Sequence, residues 1–274
     1  MSRRCISSRV TMQTNAVAHL LPADTLLEEE RNPDYDPKRF YSARIGDTLQ
    51  GKYQIISKLG SGTGSTVWLA EEMNRWPWQS SKYMTLKITN CFEGDRKSAN
   101  EELRMSCRVS QIQSEQEGHV DLKADNFLIG FEDGSVIGEY VKMQRQNPGP
   151  YKEGDGRRVY QSQPDFGRFT KGTGVLKISY FGAAVFGDTT KLHYHDIQPE
   201  QFAAPEVLLE AGWIYSTDIW NLGMVLWELL DGVGPENQYD RHVHFAQMVL
   251  LLGPPPAELL GRANKEVYAD LYSE

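Results

Sequence analysis

The chain has 274 residues, 40% of them hydrophobic and 24% charged, so a packed core is within reach and wholesale disorder is excluded. One or two domains suit this length, and no apolar run reaches the ~18 residues of a membrane span. The formal charge of −8 argues against a protein that grips nucleic acid through a sequence-independent positive surface.

Cys5, Cys91 and Cys107 show no CxxC spacing. That pattern disfavours a disulfide framework and a zinc site, and it points to a reducing compartment, cytoplasmic or nuclear. Charge is uneven: from Ala183 onward four Lys/Arg stand against fourteen Asp/Glu, a balance of −10 that leaves +2 for the rest. Such a segment suits a basic partner; an acidic surface that serves only solubility would look the same.

Residues 1–35 show no sustained period and read as a disordered tail. Arg3, Arg4 and Arg9 with no acid before Asp24 would also suit a mitochondrial transit peptide. Strand-like runs follow at Tyr53–Leu59, Ser65–Ala70 and Tyr83–Ile88, the first two joined by a Gly-rich turn. Ser98–Val109 reads as a helix. Residues 131–173 are polar and rich in Gly and Gln, with Asn147-Pro148-Gly149-Pro150, and read as an inserted loop. Val175–Ser179 is a short strand. Ser216–Leu230 is the clearest helix, opened by Ser-Thr-Asp and apolar almost all round, which predicts a buried central helix.

Five stretches carry chemistry. Gly60-x-Gly62-x-x-Ser65-x-Val67 lies between two strands, and Met84-Thr85-Leu86-Lys87 lies on the next. A glycine turn lets backbone approach phosphate, and a lysine supplies a point charge. His119-Val120-Asp121-Leu122-Lys123-Ala124-Asp125-Asn126 is the most specific stretch. Ala204-Pro205-Glu206 and Asp218-x-Trp220-x-x-Gly223 follow in order.

In this order the motifs resemble those of the protein kinases over roughly residues 45 to 265. Arg44-Ile45-Gly46-Asp47, Gly51-Lys52-Tyr53, Ser65-Thr66-Val67-Trp68-Leu69 and Asp196-Ile197-Gln198 resemble the SR-protein kinases, which phosphorylate Arg/Ser-rich proteins. The resemblance implies an α+β, two-lobed fold: a small lobe over 36–118 and a large lobe over 119–274 with the loop 131–173 inserted. It implies ATP and Mg2+ as cofactors. Nucleotide contacts would come from Leu59, Gly60, Ser61, Gly62, Thr63, Gly64, Ser65, Thr66, Val67 and Lys87, with Glu102 as the ion-pair partner of Lys87. Asp121 would accept the substrate hydroxyl proton, Lys123 would steady the γ-phosphate and Asn126 would hold magnesium. Val120 stands where the family has an arginine that commonly contacts activation-loop phosphate. The implied partner is a basic Arg/Ser-rich protein, met by a monomer that binds neither nucleic acid nor membrane directly.

The chain also departs from that pattern. Two positions could correspond to the metal-binding Asp-Phe-Gly. Asp165-Phe166-Gly167 is literal, but Gln-Ser-Gln-Pro precedes it and makes a poor strand. Tyr180-Phe181-Gly182 follows a strand and lies 26 residues before Glu206, so it is taken as the true position, with tyrosine replacing the ligand. A neutral phenol is a poor partner for a hard divalent cation. Only seventeen residues separate Glu102 from His119, where the family has two strands, the adenine-bonding hinge and two helices. Those elements need roughly 50 residues. Glu274 also falls before the family's last helices. The expected fold is therefore incomplete in both lobes. Three readings stay open: an ATP-dependent serine/threonine kinase, a catalytically inactive kinase-like binding protein, and a truncated product without function.

Overall fold

The computed structural model describes residues 17–76, 78–109, 118–119, 126–168, 172–179, 184–186, 191–231 and 239–272. In chain order these form β1 (Thr48–Leu49), β2 (Tyr53–Ser61), β3 (Ser65–Glu72), β4 (Tyr83–Thr89), α1 (Glu93–Val109), β5 (Gly118–His119), β6 (Phe127–Phe131), α2 (Ser135–Gln146), β7 (Tyr151–Gly154) and β8 (Arg157–Tyr160). β9 (Thr173–Ile178), β10 (Val185–Phe186), α3 (Pro205–Leu208), α4 (Ser216–Asp231), α5 (Arg241–Leu252), α6 (Ala257–Arg262) and α7 (Lys265–Leu271) complete the set. The chain divides into two compact units. One holds Met1–Lys97 with Phe131–Gly174, the other Ser98–Gly130 with Val175–Glu274.

The first unit is built on a four-stranded sheet of order β1-β2-β3-β4, antiparallel throughout. Strand alternation gives it two apolar faces. On one, Ile55 and Trp68 are buried with Ala43 and Tyr160, and Leu86 and Ile88 pack against them. On the other, Ile56 and Leu69 are buried with Tyr140 and Val141, joined by Leu59, Tyr83, Ile137 and Phe166.

Residues 131–173, expected as an irregular loop, instead carry a helix and a hairpin. α2 buries Val136, Tyr140, Val141 and Gln144, positions spaced as one helical face, and covers one face of the sheet. β7 and β8 pair antiparallel and bring Tyr160 to the opposite face. Sequence polarity concealed this because the segment has few apolar residues, and those that pack, such as Val136, Tyr140, Val141, Val159 and Tyr160, are spread over a helix face and a hairpin.

The expected disordered tail is also partly structured. Glu28–Arg31 form a 3-10 turn, and Glu29 is buried. Buried charge holds it in place: Lys58 bonds to Glu29, to Glu28 at 3.4 Å and to the Tyr160 carbonyl at 2.8 Å. Arg157 reaches Glu29 at 3.3 Å and Lys152 reaches Glu30 at 2.8 Å.

In the second unit the core lies among α3, α5 and α7. Ala203, Leu208, Leu209, Ala211, Phe245, Met248 and Leu271 are buried together. The Asp240 carboxylate caps α5 by accepting from the His242 and Val243 N–H groups. The expectation that α4 is buried on all sides fails. Thr217, Asn221 and Val225 are buried, yet Ile219, Leu226, Trp227, Leu229 and Leu230 are between 51% and 87% exposed. The described residues cover α4 along one stripe only. No helix among the described residues is long and apolar enough to cross a membrane.

Candidate functional site

The glycine turn is defined by the sheet that flanks it. β2 ends at Ser61 and β3 begins at Ser65, and the Gly62 N–H donates to the Ser65 carbonyl at 2.8 Å. Asn90, just after β4, holds the turn from the side. Its N–H donates to the Gly64 carbonyl at 2.9 Å and its side-chain amide to the Thr63 carbonyl at 3.3 Å. Asn90 is 1% exposed, so this anchor is part of the core. Sequence reasoning missed it, although a polar residue ending an apolar strand is a visible signal.

Register then sets the neighbours. Val67 pairs with Gly60 on one side and with Lys87 on the other. Lys87 is exposed, whereas Leu59 turns toward the cluster beneath α2. A Cβ at Gly60 or Gly62 would meet nothing within 4 Å, so backbone there is open to a close-lying phosphate. At Gly64 a Cβ would come 3.1 Å from the Asp95 carboxylate, itself paired with Arg39 at 3.1 Å. The turn fits a phosphate-bearing ligand over Gly60 and Gly62, with an acid against the Gly64 side.

Glu102, on α1, belongs to the second unit, whereas Lys87 belongs to the first. In the second unit, His119 pairs with Val185 across β5 and β10. β6 pairs with β9, and the Ser179 N–H donates to the Asn126 carbonyl at 2.8 Å. This pairing sets Asn126, which is 2% exposed, beside the residue preceding Tyr180. Asp121, Lys123, Tyr180, Val120 and Asp188 lie outside the described residues. The literal Asp165-Phe166-Gly167 sits in the first unit. There Phe166 packs on Tyr140 at 4.4 Å between ring centroids and Asp165 accepts the Gly167 N–H at 2.8 Å. Among the described residues, no three His, Cys, Asp or Glu side chains gather as a metal site.

Gln198 organises the stretch before Ala204-Pro205-Glu206. Its amide donates to the Thr217 carbonyl at 3.0 Å and to Asn221 Oδ1 at 2.8 Å, and its oxygen accepts the Ala204 N–H at 2.8 Å. It does so at φ 71°, a strained setting for a non-glycine residue.

No family model matches the chain. Individual proteins do. A serine/threonine protein kinase of Aspergillus fumigatus is 27% identical, with 89% of this chain and 76% of that protein covered. Serine/threonine-protein kinase AFC3 of Arabidopsis thaliana is 23% identical over 86% of this chain and 68% of its own length. Dual specificity protein kinase CLK2 of Mus musculus is 23% identical over 82% of this chain and 52% of its own length. A kinase domain solved by crystallography matches with a TM-score of 0.55, covering 84% of this chain and 79% of that one at 21% identity, which bears on the fold alone. Fold and relatives agree: the chain belongs to the protein kinase superfamily, in a serine/threonine lineage that resembles the CLK and SR-protein kinases.

Proposed function

We propose that the chain carries out phosphoryl transfer to Ser or Thr side chains of Arg/Ser-rich proteins. The observation that carries this reading is the open glycine turn set one strand away from Lys87. The protein kinase family uses ATP with Mg2+, which when bound supply the transferable phosphoryl group and the charge that offsets it. The glycine turn over residues 60–65 and the Lys87 ammonium would hold phosphate. Asn126 would contribute to the metal site, and Tyr180 adds no carboxylate to it. Asp121 would accept the substrate hydroxyl proton, and Lys123 would steady the phosphate. The −10 balance from Ala183 onward would draw in a basic substrate, through exposed acids such as Asp196 and through Asp188.

A second reading is a kinase-like protein that binds basic partners without catalysis. It is favoured by the sheet order, because β4 is the outermost described strand of its sheet where the family continues to its adenine-bonding hinge.

Transfer of phosphate from Mg-ATP to an Arg/Ser-repeat peptide, abolished by Asp121→Ala, is the result expected for the first reading. Peptide binding that weakens with salt, without any transfer, would support the second. Cooperatively melting protein that does neither overturns both.

A further inference from the structure

Gly60 and Gly62 face open space, but Gly64 faces a carboxylate. A Cβ at Gly64 would lie 3.1 Å from Asp95 Oδ1 and 3.6 Å from Asp95 Cγ, so a residue without a side chain lets the acid come this near without adjustment. Asp95 stands in the first turn of α1, where the aligned peptide dipoles favour a negative charge. Its other oxygen, Oδ2, accepts from Arg39 Nη2 at 3.1 Å. One oxygen therefore faces the turn and the other faces a guanidinium.

Arg39 is held in place from the same neighbourhood. It ends the short 3-10 turn Pro37–Arg39, and the Cys91 N–H donates to its carbonyl at 3.0 Å. Its guanidinium carbon lies 4.5 Å from the centroid of the Phe92 ring, a favourable cation–π contact. Cys91 and Phe92 directly follow Asn90, which binds the Thr63 and Gly64 carbonyls. Residues 90–92 thus secure both the turn and Arg39, and α1 supplies the acid just beyond. The two charged side chains are about three-quarters buried, where charges interact more strongly than in bulk water. A carboxylate at this place opposes any phosphate brought to the turn unless its charge is offset.

We propose that Asp95 and Arg39 form a charge gate on the glycine turn, in which the acid weakens phosphate binding and the guanidinium restores it. This rests on the reading that the turn holds phosphate, and it adds a regulator to that site. Neither side chain has to touch the ligand; both act through the field at the turn, as positioning residues. With the pair intact the two charges cancel. Without Arg39 the turn carries an uncompensated negative charge beside it, and without Asp95 an uncompensated positive one.

The test titrates the full chain with Mg-ATP and, separately, with inorganic tripolyphosphate, which brings the charge without the base. At low salt Asp95→Asn should tighten binding of both by about three- to tenfold, and Arg39→Gln should weaken both by a similar factor. The double variant should return to within about twofold of the parent, because its charges again cancel. Arg39→Lys, which keeps the charge, should bind as the parent does. High salt should compress every difference. Opposite signs for the two single variants are the signature, since a purely structural pair would lose affinity from either side, in step with melting temperature. If Arg39→Gln does not melt cooperatively, the sign for Asp95→Asn decides. Single variants that both weaken binding, or that both bind as the parent, overturn the gate and leave the phosphate reading standing. Failure of every variant and the parent to bind either ligand overturns both.

Discussion

The Lys58 ammonium and the Glu29 carboxylate are each 1% exposed and bonded to each other, although 29 residues separate them in the chain. Through this pair the segment before the sheet is fastened to β2. Through Arg157 and the Tyr160 carbonyl the β7–β8 hairpin is fastened to the same point.

Breaking that pair from one side should be costly, because it strands a buried charge. Glu29→Ala should destabilise the first unit by about 3–5 kcal/mol. The double change Glu29→Leu with Lys58→Met should recover only part of it, since the apolar pair needs no partner but the buried Arg157 is still left without its carboxylate. Chemical denaturation of the three proteins decides the matter. A single variant that melts like the parent would show the network to be dispensable.

Tyr140 ties α2 to the sheet in two ways. Its ring is 2% exposed and packs on Phe166, and its hydroxyl lies 3.0 Å from Ser57 Oγ and donates to the Gln163 carbonyl at 2.6 Å. Tyr140→Phe should cost about 1–3 kcal/mol through the unsatisfied groups left behind. Tyr140→Ala should cost about 3–5 kcal/mol through the cavity. Equal losses would mean that the ring alone matters.

His244 should make the second unit acid-sensitive. Burial holds its imidazole below the usual value of 6.5, and Nδ1 lies 3.1 Å from the Tyr239 hydroxyl. The folded state thus favours the neutral ring and binds fewer protons than the unfolded chain. Its contribution is fully present above about 6.5 and is lost as pH falls through the lowered folded value. Melting temperature should decline over that window in the parent and decline less in His244→Phe. Identical profiles would assign the acid sensitivity elsewhere.

If Tyr180 stands at the metal position, Tyr180→Asp should raise Mg-dependent ATP binding, seen as a larger thermal shift at fixed nucleotide. Asp165→Ala should change nothing, because that carboxylate serves its own loop at Gly167. The reverse pattern would make Asp165 the metal ligand.

Much of the fold was legible locally. Alternation marked the strands over Tyr53–Leu59, Ser65–Ala70 and Tyr83–Ile88, and a start signal with apolar residues marked α4. These patterns are short-range, and their motifs sufficed to suggest the kinase lineage. The relation between Lys58 and Glu29 was not legible, because burying a charge is sensible only once its partner is at hand. α2 escaped notice because four positions on one face do its packing while the rest of the segment stays polar. Apolarity around α4 was visible in the residues, but which of its sides would be covered depended on neighbours contributed by distant segments. Strand order is likewise tertiary: nothing in Tyr83–Thr89 itself announces its place in the sheet, because the strand that pairs with it comes from elsewhere in the chain.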